Sequence, residues 1–165
     1  MIPIGVVTVS DRAFAGVYED KGGPGIEAAL AALLATPWRP VRRVVPDERA
    51  EIEAALIELA DVERCSLILT TGGTGPAPRD VTPEATRTVL QREAPGIAEA
   101  LRADSIAKTP HGLLSRGVAG TLGRTLVVNL PGSTGGCRDG YAVLRPALEH
   151  AVALLDDRAT AHTQS

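Results

Sequence analysis

Four short runs of apolar, largely β-branched residues constrain this chain more than any other feature. They are Ile4 to Val9, Val41 to Val45, Ser66 to Thr70 and Arg124 to Leu130. Each is too short for a helix and reads as a buried strand. Between them lie stretches with helical spacing: Ile26, Ala29, Leu30, Leu33 and Leu34 within Gly22 to Ala35, and Ile52, Ala55, Leu56 and Leu59 after Asp47. Pro37 and Pro40 are expected to end the first of these helices. Strands alternating with helices predict an α/β fold, a three-layer open and mostly parallel sheet with helices on both faces. Only 2 % of the residues are aromatic, so Val, Leu, Ile and Ala must fill the core.

Later elements follow the same logic. Thr82 reads as the N-cap of a helix with Pro83 at its first position, and Pro95-Gly96 breaks that helix. Ile97 to Lys108 reads as a helix, and Gly117 to Leu122 as a short strand weakened by two glycines. A last helix carries Tyr141, Leu144, Leu148, Val152 and Leu155 on one face. A length of 165 residues fits one domain, expected over 1–157, with 158–165 a frayed tail.

In open α/β sheets, ligands sit outside the carboxyl ends of the strands. The unusual segments of this chain all fall on that edge. Strand one ends at Ser10-Asp11-Arg12, strand two at Pro46-Asp47, strand three at Thr71-Gly72-Gly73-Thr74-Gly75, and the late strand at Pro131-Gly132-Ser133. The glycines of the third segment allow close backbone approach, expected to extend to Gly75, and the Thr71 and Thr74 hydroxyls can join backbone N–H groups around an anion. A helix beginning near Thr82 would add its positive end. The segment is neither a Walker A loop nor a dinucleotide fingerprint. A plain glycine turn is its competing reading, and the same holds for Pro131-Gly132-Ser133.

Asp47 is readable as a site carboxylate or as a simple N-cap. Asp80 lies inside the glycine loop, where a carboxylate would repel an anion unless a cation intervened. It is therefore the candidate for Mg²⁺, which takes one or two protein carboxylates plus substrate phosphates. Arg12, Lys21, Arg79 and Arg116 are candidate phosphate neutralisers, and Ser115 adjoins the last of them. His111, His150 and His162 lack ligand spacing with Cys65 and Cys137. The net charge of −3 gives no basic footprint for nucleic acid. No apolar run approaches the roughly 20 residues of a membrane span. Two cysteines without a CxxC spacing and no signal-like start point to a reducing, cytoplasmic setting.

Taken together in chain order, several segments resemble the Mog/MoaB family of molybdopterin adenylyltransferases, which includes the corresponding domains of plant molybdenum-cofactor proteins and animal gephyrin. They are Val9-Ser10-Asp11-Arg12, Asp20-Lys21-Gly22, Val45-Pro46-Asp47, Thr70 to Gly75, Arg79-Asp80-Val81-Thr82-Pro83-Glu84-Ala85-Thr86, Leu114-Ser115-Arg116 and Leu130-Pro131-Gly132-Ser133. Gly16 to Gly22 resembles the Mog branch more than the MoaB branch. The resemblance implies transfer of AMP from ATP to the terminal phosphate of molybdopterin, with Mg²⁺ and release of pyrophosphate. It implies Asp47 and Asp80 as catalytic carboxylates, the loop from Gly72 to Gly75 as nucleotide holder, and Ser133 with its loop as part of the site. It also implies a homotrimer and transient contact with a metal-insertion enzyme. One departure stands out: Thr134-Gly135-Gly136-Cys137 follows Pro-Gly-Ser where many members carry a proline, which loosens that loop. A non-catalytic molybdopterin-binding scaffold and a nucleotide pyrophosphohydrolase on the same fold are the competing functions.

Overall fold

Side chains alternate across a β-strand, so a strand covered on both faces must be apolar at odd and even positions alike. In the computed structural model β1 (Ile2–Val9) does this: Ile4 and Val6 face one layer, Val7 and Val9 the other. β3 (Leu67–Thr71) and β6 (Thr125–Leu130) repeat the pattern, with Leu67, Leu69, Leu126, Val128 and Leu130 on the first side and Ile68 and Val127 on the second. The structure describes residues 1–131 and 134–155, with side chains outside 134–139. Gly132, Ser133 and the expected tail at 158–165 lie outside the described residues.

Among the described residues six strands run in the order β2 (Trp38–Val45), β1, β3, β6, β5 (Ala119–Leu122), β4 (Arg92–Glu93). β2, β1, β3 and β6 are mutually parallel; β5 and β4 add on antiparallel. α2 (Gly22–Leu33), α5 (Pro95–Lys108) and α6 (Thr134–Leu155) belong to the first layer, where Ile26, Leu30, Leu101, Tyr141, Leu144 and Leu148 pack on the sheet. α3 (Arg49–Asp61) and α4 (Thr82–Val89) belong to the second, through Ile52, Leu56, Leu59 and Ala85. The expected three-layer, mostly parallel architecture is the one observed.

Four local expectations are corrected. β2 begins at Trp38 rather than Val41 and runs through Pro40. It is an edge strand with a neighbour on one side only, where a missing N–H is tolerated. α2 stops at Leu33. The segment after β1 contains a short helix, α1 (Asp11–Phe14), because the Ser10 hydroxyl accepts from the Ala13 N–H and caps it. The N-cap of α4 is Val81, with Thr82 at the first helical position.

Candidate active site

The strand order reverses between β1 and β3. From β1 the chain crosses to β2, then over to β3 on the far side of β1. At such a switch point the loops leave in opposite directions and open a crevice at the strands' carboxyl ends. A cleft of about 210 Å³ lies there, lined by Thr8 to Ser10, Tyr18, Asp20, Gly22, Asp47, Thr71, Gly72, Gly73 and Asp80. It unites the ends of β1, β2 and β3, as the sequence predicted. A more apolar hollow at the opposite end of the sheet, lined by Ile2, Ile4, Trp38 and Leu148, carries none of these polar groups.

The glycine loop owes its shape to two residues in the left-handed region, Gly72 (φ +95°) and Gly73 (φ +71°). Gly75, expected to need the same freedom, is not among them. A Cβ on Gly72 would sit 2.2 Å from the Val9 carbonyl oxygen, so the turn presses directly on β1. Thr82 closes the loop: its hydroxyl donates to the Gly72 carbonyl (2.9 Å) and its N–H to the Gly73 carbonyl (3.1 Å). Thr82 is fully buried, and its role is this clasp rather than the helix cap expected from sequence. The clasp weakens the anion site expected at the start of α4. The Thr82 N–H is already engaged and Pro83 has none, so the first two positions of that helix offer an anion nothing. The Thr71 hydroxyl likewise turns to the Pro131 carbonyl (2.9 Å), tying the loop after β3 to the chain leaving β6. Thr74 is buried, and its carbonyl accepts from the Arg116 N–H.

Asp47 is no N-cap. The cap of α3 is Glu48, and the Asp47 Oδ2 accepts instead from the Asp11 N–H (2.9 Å). The Asp47 N–H in turn reaches Asp11 Oδ1 (2.9 Å), so two carboxylates on adjacent strand ends exchange backbone hydrogen bonds. Burial raises the Asp47 carboxyl above its usual range, and the charges of Asp11 and Asp80 add to the rise. Asp11 goes the other way, held low by hydrogen bonds from Arg79 and the Asp47 N–H. Asp80 Oδ2 accepts from the Ala77 N–H (3.0 Å), which fixes the turn before α4.

Arg79 and Arg116, expected near phosphates, are bonded to protein. Arg79 grips Asp11 through Nε (2.6 Å) and Nη2 (3.1 Å) and also reaches Glu48 and the Asp47 carbonyl. Arg116 donates to the carbonyls of Gly75 (2.9 Å) and Asp80 (2.7 Å) and pairs with Glu84, bracing the loop from behind. The Ser115 carbonyl accepts from Arg102. Arg12 lies over the Tyr18 ring, 5.6 Å from its centroid, and Tyr18 hydrogen-bonds Ser10. Lys21 is exposed at the head of α2. Pro131 borders the site through Thr71; Gly132 and Ser133 lie outside the described residues.

Sequence reasoning gave no site role to Thr8, Asp20 or Glu84, and the wrong one to Thr82. Thr8 donates to Asp20 (2.9 Å), which stands one residue before the N-cap Lys21 and whose other oxygen accepts from the Gly23 N–H in the first turn of α2. The Asp20 to Gly23 spacing carried that signal, since an Asp side chain near a helix start accepts readily from an N–H three residues on. Cys65 is buried and its thiol is pushed up to about 11, consistent with an inert role.

The carboxylates allow a test for Mg²⁺. Asp47 and Asp80 each commit one oxygen to a backbone N–H, and neither has a described hydrogen bond on its Oδ1. No cluster of three or more His, Cys, Asp or Glu able to hold a metal occurs among the described residues. Two carboxylates with a spare oxygen each, Asp80 near enough to raise the proton affinity of Asp47, fit a cation that completes its shell with phosphate oxygens.

Residues 5–150 match the family model described as "Probable molybdopterin binding domain". The molybdopterin adenylyltransferase of Escherichia coli K12 is 51 % identical over 129 residues, 78 % of this chain and 66 % of that enzyme. The chain thus spans about two thirds of that relative's length. The molybdopterin adenylyltransferase of Helicobacter pylori J99 is 44 % identical over 93 % of this chain and 88 % of its own. The crystal structure of the molybdopterin biosynthesis enzyme MoaB from Thermus thermophilus superposes with a TM-score of 0.86 at 47 % identity, covering 94 % of this chain and 96 % of the other. Sequence, fold and the placing of the site at one sheet edge agree: this chain belongs to the molybdopterin-binding domain family of molybdenum cofactor biosynthesis.

Proposed function

We propose that this protein is a molybdopterin adenylyltransferase that joins AMP from ATP to the terminal phosphate of molybdopterin. The observation that carries the reading is the meeting of Asp47 and Asp80 over the Gly72-Gly73 turn at the switch point of the sheet. The names of the relatives supply the substrate and the reaction class.

In this reading a phosphate oxygen of molybdopterin attacks the α-phosphorus of ATP. The new P–O bond forms as the bond to the β-phosphate bridging oxygen breaks, and pyrophosphate leaves with that electron pair. The nucleophile is already ionised, so the protein's contribution is positioning and charge neutralisation. The Gly72-Gly73 backbone lets a polyphosphate approach without side-chain obstruction. Asp47 and Asp80 would hold Mg²⁺, which when bound offsets the repulsion between the two anionic substrates. Ser10, Arg12, Lys21 and Ser115, with Gly132 and Ser133, are the further candidates for substrate contact. Arg116 acts by fixing the loop that carries Gly75 and Asp80.

The family resemblance further supports a homotrimer and a cytoplasmic setting, with handover of product to a metal-insertion enzyme. A trimer mass by light scattering checks the assembly. No described helix is long and apolar enough to cross a membrane.

Mass spectrometry after incubation with molybdopterin, ATP and Mg²⁺ tests the activity. The expected product carries one added AMP, and its formation stops in excess chelator. Binding without pyrophosphate release would instead mark a scaffold. Pyrophosphate release without molybdopterin would mark a pyrophosphohydrolase.

A further inference from the structure

The sequence places Asp11 at a strand end beside the candidate site and offers Arg79 as a phosphate neutraliser, yet their hydrogen bonds go to other protein groups. Arg79 comes from the loop after β3. It grips Asp11 at the end of β1 with two N–H groups and also touches the Asp47 carbonyl and Glu48 at the end of β2. Asp11 and Asp47 exchange hydrogen bonds at 2.9 Å in both directions. These bonds bind three strand-end segments into one ring around Asp47. The guanidinium already faces two carboxylates, Asp11 and Glu48, whose two negative charges outweigh its single positive one and which take up its Nε–Nη2 edge.

We propose that Asp11 and Arg79 form a latch that positions Asp47, rather than a pair that binds substrate phosphate. The latch fixes Asp47 Oδ2 on the Asp11 N–H and leaves Oδ1 beside Gly73 in the cleft. Both partners are substantially exposed, with side chains 57 % and 38 % accessible, and an ion pair so open to solvent adds little to stability. Its effect is on geometry. A reacting group displaced by an ångström can cost on the order of 10²-fold in rate. The proposal rests on the reading of Asp47 as a carboxylate of the reacting site.

The experiment compares Arg79→Gln, Arg79→Lys and Asp11→Ala with wild type, and adds Arg79→Gln to an Asp47→Asn background. Two quantities are read: the single-turnover rate of adenylylated molybdopterin formation, and pyrophosphate affinity by calorimetry. Arg79→Gln and Asp11→Ala should each slow turnover about tenfold or more, with pyrophosphate affinity changed less than about twofold. Arg79→Lys keeps the charge but not the fork and should recover part of the rate. In the Asp47→Asn background Arg79→Gln should add nothing, because the group it positions is gone. A loss of pyrophosphate affinity that persists in that background would overturn the latch and return Arg79 to the phosphate. If wild type makes no adenylylated product, the proposed function fails, and crystal structures of Arg79→Gln and Asp11→Ala still decide the latch. An Asp47 side chain that leaves the Asp11 N–H upholds it; one that keeps its 2.9 Å bond in both variants overturns it.

Discussion

Replacing Gly72 by alanine separates two costs that a glycine turn combines. The first is backbone strain. A left-handed conformation costs a residue with a Cβ roughly 1–2 kcal/mol. At Gly16 (φ +72°) the same strain arises in open space, with nothing within 4 Å of its missing Cβ. Gly16→Ala therefore calibrates strain alone. The second cost is the close approach. At Gly72 the Cβ would lie 2.2 Å from the Val9 carbonyl oxygen, more than an ångström inside ordinary contact. That oxygen belongs to the backbone of a central strand and cannot rotate away as a side chain would. Overpacking of this kind adds about 1–3 kcal/mol. For a chain of this size each kcal/mol moves Tm by about 2–4 °C. Gly72→Ala should thus melt about 2–12 °C below Gly16→Ala, which should itself melt a few degrees below wild type. Thermal unfolding followed by circular dichroism measures both. Equal Tm losses in the two variants would refute the reasoning, because contact with Val9 would then cost nothing.

Asp47→Asn should raise Tm at neutral pH in the presence of chelator. Burial raises the folded-state Asp47 carboxyl, so its ionised form costs stability above that value, and wild type regains the loss as pH falls through it; a Tm gap that persists at about pH 3, below the ordinary carboxylate range, would contradict this. Asp80→Asn can keep the Ala77 hydrogen bond while losing its charge, so the fold should survive and single-turnover adenylyl transfer should fall roughly 10²-fold. A rate within a few-fold of wild type would return Asp80 to a turn residue. Arg116→Lys should destabilise by about 1.5–3 kcal/mol, the scale of hydrogen bonds from a charged donor, because an ammonium cannot reach Gly75, Asp80 and Glu84 together. An unchanged denaturation midpoint would show that those bonds are made equally well by lysine.

The sequence by itself determined the layers of this protein and the edge where its candidate site lies. Runs such as Leu67-Ile68-Leu69 and Leu126-Val127-Val128 are apolar at every position, which only a sheet covered on both faces accommodates. The polar and glycine-rich segments follow those runs, so the carboxyl ends of the strands were legible without coordinates. Local chemistry was less decisive where tertiary partners compete for a group. Thr82 and Asp47 both have the form of helix caps, but Gly72 and Asp11, ten and thirty-six residues away, claim their side chains. Pro40 has the form of a helix stop and a strand boundary, yet an edge position lets β2 pass through it. The partners of Arg79 follow from no periodicity, because Asp11 lies sixty-eight residues earlier and meets it only where β1 and β3 lie side by side. Periodicity reports which face of an element is buried. Which groups then meet at the strand ends depends on strand order and register, and these are fixed only when the whole sheet assembles.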